Sequence, residues 1–289
     1  MIEQQIVNGL MLGSTYSLTA IGYTLVLGLL DMLNLAHGDV FMIAGFVALS
    51  MVLSGVPFWI ALPAAMAVGA LLSILVERVC FWAVRGSDIL VPLLMTLALG
   101  MVLQNVATEI WGSEPLRMPS VIPRESYRLG PISLSMLQIT VLGISLVLML
   151  LLDLLVQRTY VGRAMRAAAE SPSTAGILGV NVPGIIMVTF LISGALAGAG
   201  GVLTAMTFST ITPFLGINQG LKAMVAMVIG GVGSMRGAMV AGLLLGIAET
   251  LSVAYLGASY REMVVYGLLL FFLWARPGGL FQTQASERV

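Results

Sequence analysis

The sequence predicts an all-α polytopic membrane protein with eight to nine transmembrane helices, some broken or re-entrant, and a short polar helix pair between two of them. Three observations predict it. First, 59% of the 289 residues are hydrophobic and only 9% are charged, where a soluble domain carries about a quarter charged residues. Mean hydropathy is +1.04, and no soluble fold of this size has enough interior to hide so much apolar surface. Second, the apolar residues fall in long runs near the ~20 residues that a helix needs to cross the hydrocarbon core. The strands of an outer-membrane barrel would be shorter and would alternate. Third, one stretch between the runs, 157–183 (QRTYVGRAMRAAAESPSTAGILGVNVP), is polar yet full of helix signals.

The runs lie near 6–29, 36–54, 58–82, 89–111, 134–156, 184–206, 217–232, 237–256 and 262–275. The opening residues MIEQQIVNG lack the basic region and cleavage site of a signal peptide, so the first run is read as a retained span. Runs one and two are joined by Asp31, Asn34, His37 and Asp39 within one short stretch, too polar for lipid contact. The run at 217–232 is short and contains Lys222. Both places are expected to be broken or re-entrant helices, which survive only where protein or a water-filled cavity surrounds them. The proline-rich stretch 112–133 has no apolar period and reads as an external loop or hairpin. No composition shift divides the chain, which reads as one domain over 1–289, and no internal repeat is evident by eye.

Lys and Arg set the orientation. The island holds Arg158, Arg163 and Arg166, and the loop before it holds Arg117, Arg124 and Arg128, a tie. Alternation adds Arg78, Arg85, Arg236, Arg276 and Arg288 to the island's side and only Arg261 to the other. The island is therefore expected in the cytoplasm, with the N-terminus outside and the C-terminus inside if every run spans.

Composition excludes several classes. Net charge is zero and no basic stripe suggests nucleic acid. One cysteine, Cys80, permits no internal disulfide, and with His37 the only histidine there is no Cys/His metal cage. The nineteen methionines are expected as gap-filling core residues. No G-x-x-x-x-G-K-[ST] occurs, so the chain cannot grip nucleotide phosphates by that route.

In the island, Gly162 is expected to open a short helix with Arg163, Arg166 and Glu170 on one face and Ala164, Met165, Ala168 and Ala169 on the other. Arg166 and Glu170 stand four apart, where opposite charges support a helix. Ser171-Pro172 supplies an N-cap and a first-turn proline. A second short helix, 172–178, should end at Gly179 in a left-handed cap. Two stiff helices at an angle on a membrane surface suggest docking to a soluble partner, against a plain loop or an interfacial helix.

Here the chain resembles a known family. GRAMRAAAESPSTAGILGVNV resembles the cytoplasmic coupling segment of bacterial ABC importer permeases of the branched-chain amino-acid type. The N-terminal NGLMLGSTYSLTAIGYTLVLGLLDMLNLAHGDVFMIAG, the late GGVGSMRGAMVAGLLLGIAE and the terminal RPGGLF agree with that family. The resemblance covers nearly the whole chain and implies an inner-membrane subunit that hydrolyses nothing itself. It implies two cytoplasmic ATPase subunits that bind ATP and Mg, so the chain needs no cofactor of its own. It also implies a second permease, usually a sister chain, and an external substrate-binding protein. Arg163, Arg166 and Glu170 would then make charged contacts with an ATPase, and Ala175, Leu178 and Gly179 would pack into its groove.

Other residues carry weaker signals. Asn34, His37 and Gly38 favour a tight turn that could line a substrate path. Glu249 must face protein or water; pairing with Lys222 is preferred to a site for a substrate ammonium. Gly194 with Gly198, and Gly242 with Gly246, form small-residue pairs that let helices approach closely, within one subunit rather than between subunits. Two other functions compete: a stand-alone secondary transporter built on the break at 34–39, and an intramembrane hydrolase using Ser234 and His37, which lacks a third orienting group. Branched-chain or related small amino acids are the implied cargo, with urea, amides or another small polar metabolite as the alternative.

Overall fold

The computed structural model describes residues 2–123, 125–129 and 132–281; Arg124, Pro131 and Arg288, weighed above, lie outside the described residues. Each of the nine apolar runs forms a helix. Seven helices are long and apolar enough to cross a membrane: α1 (Ile2–Leu30), α3 (Phe58–Val76, continued by a π-helical turn to Trp82), α4 (Leu90–Trp111), α5 (Met136–Arg158), α8 (Val182–Phe208), α10 (Met235–Tyr255) and α11 (Arg261–Ala275, entered through a 3-10 turn). The two others, α2 (His37–Leu53) and α9 (Leu215–Gly230), are shorter. They are the two places where the sequence put polar residues at membrane depth. The island forms α6 (Tyr160–Glu170) and α7 (Pro172–Ile177).

Four short strands decorate the opposite end. β2 (Ser126–Leu129) and β3 (Ile132–Ser135) make an antiparallel hairpin, and β1 (Leu116–Arg117) pairs with β4 (Thr210–Ile211), just after α8. Gln4 clasps Ser133 through its side chain, so the N-terminus lies on the side of this loop. The C-terminal turn bonds Ile229 and Gly230 and reaches the island. Helix directions place Arg78, Arg85, Arg158, Arg163, Arg166, Arg236 and Arg276 on the island side, against Arg117, Arg128 and Arg261. The excess of positive charge assigns the island to the cytoplasm.

The order conceals an inverted repeat that was not legible by eye. α1 ends at Asp31 and α8 at Ser209, both non-glycine residues in left-handed backbone (φ 55° and 54°). Each helix is followed by a connector, 31–36 or 209–214, that turns back into the membrane and starts a shorter helix. The His37 ring ends against Gly22 of α1. At 1.5 Å per residue, that is ~12 Å short of the end of α1 at Leu30. The first turns of α2 and α9 then meet backbone to backbone at Gly38 and Gly216. α1 lies on α10 and α8 lies on α3, so each long helix packs on the third member of the other unit.

Those long contacts are built on missing side chains. Gly9 and Gly13 face Gly246 and Gly242, while Gly194 and Gly198 face Gly69 and Ala65, so all four packing glycines act within the subunit. A Cβ at Gly246 would run into the main chain of Gly13. Gly246→Val is therefore expected to prevent accumulation of folded protein, whereas Gly143→Val, which faces open space, should not. Membrane yield and a size-exclusion profile of both variants check this.

Candidate translocation path and coupling surface

The island is capped at every joint. Thr159 caps α6 through the Gly162 amide, so this helix opens two residues before the expected Gly162. Ser171 caps α7 through Thr174, with Pro172 in the first turn. Gly179 closes it at φ 88°, and Asn181 caps α8 through Gly184. Such caps fix the direction of short helices that would not persist alone.

Ala164, Met165 and Ala168 of α6 are buried, while Arg163, Arg166 and Glu170 are exposed. Two expectations are corrected. Arg166 does not reach Glu170; its guanidinium donates to the Val156 carbonyl and ties α6 to α5. Ala175 points inward and is 2% exposed, so it anchors α7 instead of offering it outward. The outward apolar residues are Ile177 (86% exposed) and Leu178 (77%), beside the exposed Gly179. Ile177 was missed as a contact residue; its place one turn before the capping glycine could have marked it.

Between α6 and the transmembrane bundle lies a cavity of about 540 Å³, lined by Thr24, Arg166, Thr189, Ser234, Asp153 and Arg236 among others. Arg236 makes a two-pronged bond to Asp153 at 3.1 Å and 3.1 Å, joining the start of α10 to the end of α5. Ser234 caps α10 through Gly237, which is a structural role and not that of a nucleophile.

The turn at 34–38 is held by Thr96 of α4, which accepts from the Leu35 amide, and by Gln104, which donates to Asp39 at 2.8 Å. Tyr23 meets the His37 ring edge-on at 4.5 Å. Asn34 and His37 are 2% and 1% exposed, and neither Asn34 side-chain atom nor His37 Nε2 has a partner among the described residues. Asn34, His37 and Gly38 therefore come together, but in a sealed interior and not on an open path.

Glu249 is not with them. Its Oε1 receives Lys222 Nζ at 2.9 Å and Arg261 Nε at 3.1 Å, and its Oε2 receives the Tyr16 hydroxyl at 2.8 Å. Lys222 also reaches Glu262 at 2.9 Å. Four helices, α1, α9, α10 and α11, thus share one charge-balanced cluster. Glu249, fully buried, spends its acceptors on protein, which leaves nothing for a substrate ammonium. The sequence offered the Lys222 partner but gave no sign of Tyr16, Arg261 or Glu262.

A transmembrane bundle interrupted by two crossed half-length helices, with a stiff polar pair projecting on one side, has the build of a solute permease. Comparison with known proteins agrees. The model of the family described as "Branched-chain amino acid transport system / permease component" matches residues 5–273. The high-affinity branched-chain amino acid transport system permease protein BraD of Pseudomonas aeruginosa is 37% identical, over 99% of this chain and 97% of its own. LivH of Escherichia coli, a permease protein of the same description, is 37% identical over the same shares. The D-allose permease AlsC of Escherichia coli is 25% identical over 82% of this chain and 73% of its own. The chain belongs to the family of branched-chain amino acid transport permease components and is a multi-pass membrane protein.

Proposed function

We propose that this chain is the membrane permease of an ATP-driven, binding-protein-dependent importer of branched-chain or related small amino acids, seated in the inner membrane. The family match along almost the whole chain carries this reading. Two cytoplasmic ATPases, a sister permease and an external binding protein complete the machine, and ATP and Mg belong to the ATPases. The α6–α7 pair is the contact with the ATPases. Exposed Arg163 and Glu170 supply charge, Ile177 and Leu178 supply apolar knobs, and Gly179 gives the bend. Because every joint is capped, movement of an ATPase against α7 is passed to α5 and α8 instead of being absorbed. Asn34, His37 and Gly38, at the crossing of the half-helices, lie where the path must open between outward and inward states.

Reconstitution into vesicles tests the reading. With all partners present, leucine uptake should require ATP; uptake by this chain alone under an ion gradient would sink it in favour of a secondary carrier. Glu170→Ala and Gly179→Val should each lower uptake ~10-fold while ATP hydrolysis continues and membrane insertion is unchanged. For Gly179 the reason is the left-handed backbone, which costs a branched residue ~1–2 kcal/mol. Normal coupling in both would argue against the α6–α7 assignment.

A further inference from the structure

The mirror-related half-helices differ in one respect: the first turn of α2 is sealed inside the subunit, whereas that of α9 is open on one side. Phe214, Ile217 and Leu221 are 53%, 44% and 40% exposed, and Asn218 between them is exposed too. This turn sits at the depth of Gly38, well within the bundle. Phe214 provides no side-chain cap, and among the described residues the amides of Gly216 and Ile217 have no acceptor. Hydrocarbon cannot cover such a place, because each unpaired amide in lipid costs several kcal/mol. Water or protein must lie against it.

A second observation points to a ligand. Gln219, in the same turn, is 7% exposed, and its Oε1 has no partner. The open turn thus combines free amides at the positive end of a helix, an unused amide oxygen and an apolar surface made by Phe214, Ile217 and Leu221. Those features match an aliphatic α-amino acid in its zwitterionic form. The carboxylate suits the helix end, the ammonium suits the Gln219 oxygen, and the side chain suits the apolar surface.

We propose that the first turn of α9 faces a water-filled lumen and recognises the zwitterionic head of the amino acid in transit. This inference rests on the importer reading above. Lys222, three residues on, contributes no free charge, because Glu249 and Glu262 hold it. Recognition here is by dipole and hydrogen bond, which suits a cargo that must leave again.

Thiol labelling of the assembled transporter in membrane vesicles tests it. In a Cys80→Ala chain, Asn218→Cys should react with a charged, membrane-impermeant methanethiosulfonate at a rate within ~10-fold of an exposed Ser173→Cys control. Leucine should slow that reaction ~5-fold or more, and leucinamide, which lacks the carboxylate, should not. Leu146→Cys, on the exposed apolar face of α5, should stay unlabelled. Gln219→Leu should raise the KM for leucine uptake ~10-fold, about 1.4 kcal/mol, with the maximal rate kept. If Asn218→Cys behaves like Leu146→Cys, the turn faces lipid and the inference fails. If it is shielded and cross-links to the second permease, the turn is a subunit contact and the inference fails likewise. Labelling without protection by leucine overturns this inference alone, whereas a wild-type transporter that moves no leucine overturns the cargo reading.

Discussion

Replacing Glu249 by alanine should lower the melting temperature of the detergent-solubilised protein by roughly 10 °C. The side chain is fully buried and satisfies Lys222, Arg261 and Tyr16 at once. Without it, Lys222, itself 4% exposed, keeps only Glu262, whose side chain is 57% exposed. Breaking a buried pair from one side typically costs ~3–5 kcal/mol, because an uncompensated charge stays behind. Removing both charges together, as Glu249→Leu with Lys222→Met, should recover more than half of the loss. That recovery separates an electrostatic cost from a mere cavity. If the single variant melts like wild type, or the double variant melts below both singles, the cluster does not hold these four helices.

Converting Ile177 and Leu178 to aspartate should reduce amino-acid uptake ~100-fold without touching the fold. At 86% and 77% exposure these side chains have almost no packing within the chain to lose, and exposed substitutions usually change stability by less than ~0.5 kcal/mol. Their contribution can only be to something outside it. A partner groove that buried both would give up about 1.5–3 kcal/mol for each apolar side chain, and more once a carboxylate had to be desolvated there. The variant should insert normally, melt normally and no longer co-purify with its ATPases. Retained co-purification with full uptake would move the docking surface elsewhere.

Much of the architecture could be read from the residues. Every apolar run became a helix, and both places flagged as broken, 31–39 and 217–232, proved to be short helices turned back into the membrane. The signal was plain in both cases: Asp31, His37 and Lys222 are too expensive to leave in lipid. Ser171-Pro172 and Gly179 announced the ends of α7 because capping is local chemistry. What could not be read was non-local. The inverted pair of units shares backbone shape and glycine placement, and no obvious run of similar residues. Tyr16 and Glu249 are far apart in the chain, and only the packing of α1 on α10 brings them together. Ala175 turned inward because its side of α7 packs near α8, which helical spacing alone does not decide.

The glycine contacts carry a genetic consequence. Where a new Cβ would strike a side chain, a second mutation that shortens that side chain can restore growth. At Gly13, Gly69, Gly194 and Gly246 the opposing atoms include main chain, which no codon change removes. A lethal allele at any of these four sites should therefore yield same-site revertants almost alone, while alleles at Gly22, which abuts the movable His37 ring, should also be rescued by changes at His37.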